Sequence, residues 1–329
     1  MDEWLHSLVP WGTGAVVWVQ SVVSEGLDPV SILFTYLGYE ELYLVLLPLI
    51  YWCINKPVGI GLGYVAMLSA YVNGALKNLF DIPRPCEAPN PCDTPIRTPL
   101  PETSFSFPSG HAQSSVVIWG YLALNFFGLL PAEGRKTGYR RIGWVIAVIL
   151  MLGIGLSRIV LGVHFPEDVI GGWLIGIIVL AAFALLAPVV GRWVVRQRMP
   201  VQIALAAGVP FLLIFLHPAD RFGLYPAEDA VKTMGALIGM GLGVLMERAW
   251  LRFQVDGAFW RRALRLLVGL VIVVIFYAGP KLIIPDGLSR GLETAVRLAR
   301  YILLGWVVAF GCPWLFVRLK LAGRDSRSQ

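Results

Sequence analysis

The run VIGGWLIGIIVLAAFALLAPVV, Val169–Val190, carries no charged side chain over 22 residues. As an α-helix it would be about 33 Å long, enough to cross the roughly 30 Å hydrocarbon core of a bilayer. It is apolar on every side, which suits lipid rather than a water-facing surface. This stretch decides the fold class: an all-α, polytopic membrane helical bundle.

Eight further runs of similar length lie to either side. The predicted spans are Ile32–Cys53, Val58–Leu79, Ala112–Leu130, Ile142–Leu161, Val169–Val190, Val201–Leu216, Val231–Arg248, Leu264–Ile284 and Thr294–Phe316. Composition agrees. Hydrophobic residues make up 57% of the chain and charged residues 15%, against about 25% charged in a soluble domain. Mean hydropathy is +0.70. Three regions follow: an N-terminal interfacial segment at 1–30, rich in Gly, Trp and Pro; a core at 31–191; and a C-terminal transmembrane extension at 192–329. The acidic start, MDEW, is unlike a cleavable signal peptide.

The net charge of +6 does not point to nucleic acid. The basic residues cluster between spans: Arg135, Lys136, Arg140 and Arg141; Arg192, Arg196 and Arg198; Arg248, Arg252, Arg261, Arg262 and Arg265; Arg318, Lys320, Arg324 and Arg327. Together with Lys56 they fall in alternate loops, which places those loops and the C-terminus in the cytoplasm. The same clusters favour contact with anionic membrane lipids. Cys53 and Cys312 read as packing residues. Cys86 and Cys92 share a short polar loop that a disulfide could close in an oxidising compartment.

Three groups of polar residues stand out on the extracytoplasmic side. Lys77 and Arg84 flank the end of the second span. Phe107–Pro108–Ser109–Gly110–His111 leads a proline-rich loop into the third. Arg158, His164 and Asp168 run from the end of the fourth span to the start of the fifth. Three cations near one face form an anion site, the arginines as forks and the lysine as a point charge. Ser109 and Gly110 precede a helix, whose N-terminal N–H groups favour an anion. Asp168 lies four residues after His164 and can accept its Nδ1–H, leaving Nε2 to attack. These residues suggest phosphoryl transfer, with one histidine attacking phosphorus and the other protonating the leaving oxygen. No carboxylate cluster on this face suits a two-metal site.

In this order and near these spacings, the motifs resemble the type 2 phosphatidic acid phosphatase superfamily, which is related to the vanadium haloperoxidases. The resemblance covers Lys77–Asp168. The layout of spans is similar to that of glucose-6-phosphatase. Carried over residue by residue, the resemblance implies that Lys77, Arg84, Ser109, Gly110 and Arg158 bind phosphate. It makes His111 the acid, His164 the nucleophile and Asp168 its partner, with a phosphohistidine intermediate and no metal or cofactor. The implied substrate is a phosphate monoester, foremost a lipid phosphate such as phosphatidate or an isoprenoid (pyro)phosphate. A soluble sugar phosphate is the alternative, and a phosphate-binding transporter without catalysis is the third reading. Oligomeric state is not legible.

Overall fold

Pro166–Val195 is the longest helix, and it contains the uncharged run quoted above. The computed structural model describes residues 2–85, 104–128, 137–219, 228–283 and 289–324, and their secondary structure is helical apart from one isolated bridge, Phe253–Arg324. The helices in chain order are α1 (Asp2–Val22), α2 (Asp28–Tyr36), α3 (Glu40–Leu49), α4 (Lys56–Phe80), α5 (Gly110–Phe127) and α6 (Thr137–Val160). They continue with α7 (Pro166–Val195), α8 (Met199–Leu216), α9 (Glu228–Met246), α10 (Phe259–Ile283), α11 (Arg290–Trp306) and α12 (Cys312–Arg318).

Seven helices among the described residues are long and apolar enough to cross a membrane, and eight if the α2–α3 pair, bent by 48°, counts as one. The expected spans map onto helical segments, so the count of nine is approximate rather than misplaced. The third expected span, α5, is not among those seven. It carries Gln113, Ser114, Ser115 and Asn125, and Gln113 and Ser115 are buried.

The chain divides into two compact units, interleaved in sequence: 1–42, 68–185 and 218–226 in one, and 43–67, 186–217 and 227–329 in the other. In the first, α5 and α7 meet at main-chain distance. A Cβ added at Gly172 would lie 2.6 Å from the Ser109 carbonyl oxygen, and one at Gly176 would lie 2.8 Å from that of Gln113. Only glycine allows this approach, the small-residue packing expected where lipid supplies no hydrophobic drive between helices. The Ser109 N–H also donates to the Asp168 carbonyl at 3.0 Å. The two helices that carry the second and third motifs are therefore joined backbone to backbone.

Behind this seam lies a buried polar chain. The Asn73 side-chain amide donates to the Pro108 carbonyl at 3.2 Å and to Gln113 Oε1 at 2.9 Å. The Gln113 amide donates in turn to the Ser69 carbonyl and hydroxyl, at 2.8 and 2.9 Å. Unmade hydrogen bonds here would each cost about 1–3 kcal/mol, so the network fixes the Pro108–Ser109 turn against α4.

The second unit uses the same device. Gly235, Gly239 and Gly243 on α9, four residues apart, face α11 and the turn that follows it, and a Cβ at Gly239 would overlap the Ile302 carbonyl. Its one fully buried carboxylate among the described residues, Glu247, accepts from Lys56 Nζ at 2.9 Å and from the Phe253 N–H at 2.8 Å. Cys53 and Cys312 are buried free thiols, whereas Cys86 and Cys92 lie outside the described residues.

Candidate active site

Each cation of the pocket sits where its helix ends. Lys77 is in the last turn of α4, and its ammonium donates to Ser104 Oγ at 3.0 Å and to the Phe105 carbonyl. Four residues beyond α4, Arg84 spreads its fork. Nε donates to the Ser104 carbonyl at 2.6 Å, and Nη2 reaches Ser104 Oγ at 3.3 Å. Nη1 donates to the Val163 carbonyl at 3.1 Å and meets His164 Nε2 at 3.1 Å. Arg158 is in the last turn of α6 and wholly buried.

His164 lies in the short turn between α6 and α7. Its Nδ1 is 3.2 Å from Asp168 Oδ2 and 3.3 Å from Ser106 Oγ. Guanidinium N–H groups only donate, so Nε2 must accept from Arg84 and the ring proton sits on Nδ1, facing the carboxylate. Asp168 Oδ2 also accepts from Ser106 Oγ at 2.5 Å and from the Phe165 N–H at 2.8 Å. Asp168 therefore does two things: it orients the imidazole, and it caps the first turn of α7. Its Oδ1 has no hydrogen-bond partner among the described residues.

Ser109 is the N-cap of α5, its hydroxyl 3.5 Å from the Ala112 N–H. Gly110 opens the helix, and a Cβ there would press to 3.1 Å of Asn73 Oδ1. His111 follows in the first turn. Its ring stands edge-on to Tyr39 at 4.9 Å, and the bend between α2 and α3 lies over it. A Cβ at Gly38 would come 2.9 Å from the imidazole. His111 Nε2 is buried without a hydrogen-bond partner among the described residues.

Burial is the first cause holding His164 well below the ordinary imidazole value. The charges of Arg84, Arg158, Lys77 and His111 follow in that order. That list draws on all three motifs, so the residues singled out in the sequence gather around one ring. The imidazole is neutral at pH 7 and keeps its Nε2 lone pair. Below pH 6.5 the unfolded chain takes up a proton that folded His164 refuses, so stability falls as pH falls. Each withheld proton is worth about 1.4 kcal/mol per pH unit. The His164 share is read as a difference: with unfolding followed in detergent between about pH 7.5 and about pH 5, His164→Asn should lose less stability on acidification than wild type.

The sequence reading missed Ser104 and Ser106, which belong to the proline-rich loop rather than to any motif. Ser104 gathers Lys77 and Arg84. Ser106 ties the imidazole to its carboxylate. It also missed Asn73, one turn before Lys77 on the same helix face, and Gln113. A signal for both was present: carboxamides inside otherwise apolar spans.

Helices and site together define a multi-pass membrane protein with a buried cluster of cations around a histidine. Residues 59–192 match the PAP2 superfamily, and residues 231–324 match the PAP2 superfamily phosphatase, transmembrane extension. The chain carries a PAP2 superfamily domain followed by that superfamily's transmembrane extension. It is 26% identical to a probable sphingosine-1-phosphate phosphatase of Dictyostelium discoideum, over 73% of this chain and 57% of that protein. It thus spans little more than half the length of that curated relative. It is 23% identical to glucose-6-phosphatase catalytic subunit 1 of Rattus norvegicus, over 74% of this chain and 77% of that one. The crystal structure of the first transmembrane PAP2 type phosphatidylglycerolphosphate phosphatase from Bacillus subtilis aligns with a TM-score of 0.45 and 23% identity, covering 59% of this chain and 89% of that one.

Proposed function

We infer that this chain is a membrane phosphatase that hydrolyses phosphate monoesters at a pocket facing the extracytoplasmic side, with His164 as its nucleophile. The observation that carries this reading is the pairing of the His164 ring, Nδ1 on Asp168 and Nε2 under the Arg84 guanidinium. Without substrate, Arg84 occupies the lone pair that must attack. A phosphate group draws the guanidinium onto its own oxygens and frees Nε2. The negative charge of the bound phosphate lets His111 take up a proton from solvent; Nε2 then forms a bond to phosphorus as the ester P–O bond breaks, and His111 gives that proton to the departing alkoxide. Water attacks the phosphohistidine, His111 takes the water's proton, and phosphate leaves as Nε2 regains its lone pair. Lys77, Arg84 and Arg158 neutralise the charge that builds on the equatorial oxygens.

The substrate is a lipid phosphate such as phosphatidate or an isoprenoid (pyro)phosphate. A site set among membrane helices suits an ester whose tail stays in the bilayer, and relatives with lipid-phosphate names support it. The match to a glucose-6-phosphatase over most of both chains favours one rival, a soluble sugar phosphate. Purified protein offered phosphatidate, sphingosine 1-phosphate, isoprenyl phosphates and glucose 6-phosphate separates the two. Turnover of a lipid ester, inhibition by vanadate and indifference to EDTA are expected. Turnover that EDTA removes would defeat the metal-free chemistry, and turnover of glucose 6-phosphate alone would defeat the lipid assignment.

A further inference from the structure

Helix α1 lies outside everything assigned so far, yet it touches the catalytic turn. Its inward face packs through Leu5, Gly12 and Val16. Val16 is buried among Ala112, Ile159, Phe165 and Val169. A Cβ at Gly12 would overlap the Glu167 carboxylate and lie 2.9 Å from the Phe165 ring. Gln20 Nε2 donates to the Val160 carbonyl at 3.1 Å. These anchor points are the last residue of α6 and the turn into α7, where two membrane-length helices end. That is the depth of the lipid headgroups.

On the outward side, Trp4, Trp11 and Trp18 are 67%, 58% and 65% exposed. Seven-residue spacing keeps three side chains within about 40° of one another around a helix. The neighbouring stripe, Ser7, Gly14 and Ser21, has the same spacing and is also exposed. Between Trp4 and Val22 there is no Asp, Glu, Lys or Arg. α1 is not among the described helices apolar enough to cross the bilayer. Three uncovered indoles beside a small polar stripe, held at the end of the spans, fit the headgroup–acyl boundary. The ring there lies in apolar surroundings while its N–H stays wet.

We propose that α1 docks on the outer leaflet through Trp4, Trp11 and Trp18 and holds the His164 turn at the depth of a lipid phosphate, giving preference for bilayer-borne over dissolved esters. This rests on the phosphatase reading above. The occupant of the tryptophan face is leaflet lipid, because the face is continuous with the ends of spans that lipid must already surround.

The test uses the full chain in phosphatidylcholine vesicles, as wild type and as W4S/W11S/W18S. For dioleoyl phosphatidate in the vesicles, kcat/KM should fall about tenfold in the variant. For dihexanoyl phosphatidate, kept below its micellar concentration, it should hold its wild-type value, which also shows that the variant is folded. Equal effects on both esters, or none on either, would overturn the proposal. So would a change of oligomeric state with unchanged lipid turnover, since that gives the face to a second copy. If the triple variant is not recovered, W11S carries the same comparison with an effect of about threefold. Tryptophan quenching by lipids brominated high on the acyl chain is independent of turnover. A quenched fraction present in wild type and missing from the variant is expected, and its absence overturns the docking. If wild type hydrolyses neither ester while that fraction is present, the phosphatase reading fails and the docking stands.

Discussion

His164→Ala is expected to abolish turnover of every ester the protein accepts, with kcat falling at least about 10⁴-fold. Alanine removes Nε2, the atom proposed to bond phosphorus, and with it the proposed covalent intermediate. The pocket itself should persist. Arg84 keeps its bonds to Ser104 and Val163, and Asp168 keeps Ser106 and the Phe165 N–H. Phosphate release measures the first effect. Labelled phosphate trapped on the protein in alkali, where phosphohistidine survives, measures the second. Wild type should carry the label and the variant should not. Residual turnover above about one per cent would mean that another group attacks.

Arg84→Lys should lower kcat/KM by about 10²- to 10³-fold, although the charge is unchanged. Arg84 reaches three separate residues at once: Ser104, Val163 and His164. An ammonium is a single point and cannot span them. The loss should appear in KM, because the fork no longer matches phosphate oxygens. It should also appear in kcat, because the Ser104 loop and the nucleophile lose their common tether. Steady-state kinetics with phosphatidate, alongside vanadate affinity, separate the two parts. A lysine variant that keeps wild-type kinetics would reduce Arg84 to a scaffold for the loop.

The spans were legible in the sequence because a helix in lipid must be apolar for about 20 residues on every side, and Val169–Val190 states that without ambiguity. Six of the eight candidate site residues stood out for a related reason, Ser109 and Gly110 being the two without a charge or an imidazole. Charged and imidazole side chains are costly near lipid, so their survival at the ends of α4, α5, α6 and α7 is itself a signal. Ser104 and Ser106 gave none. They belong to a loop without periodicity, where nothing in the order of residues says which hydroxyl faces the pocket. The bend between α2 and α3 was equally hidden. It depends on Gly38 resting against His111 and Ile154, a contact made across more than 70 residues of chain. The glycines of α9 and the tryptophans of α1 were written plainly at fixed spacings. Composition counts them but does not register their repeat.

The glycine seam between α5 and α7 bears on how the chemistry tolerates its surroundings. At Gly172 and Gly176 the carbonyls of Ser109 and Gln113 lie directly against the α7 backbone, so two rigid contacts oppose a relative tilt of the helices. A bilayer that thins, thickens or curves must rock both rods together. His111 on one and the capping carboxylate of Asp168 on the other then travel as a single rigid body, and membrane stress falls instead on the segments that join them.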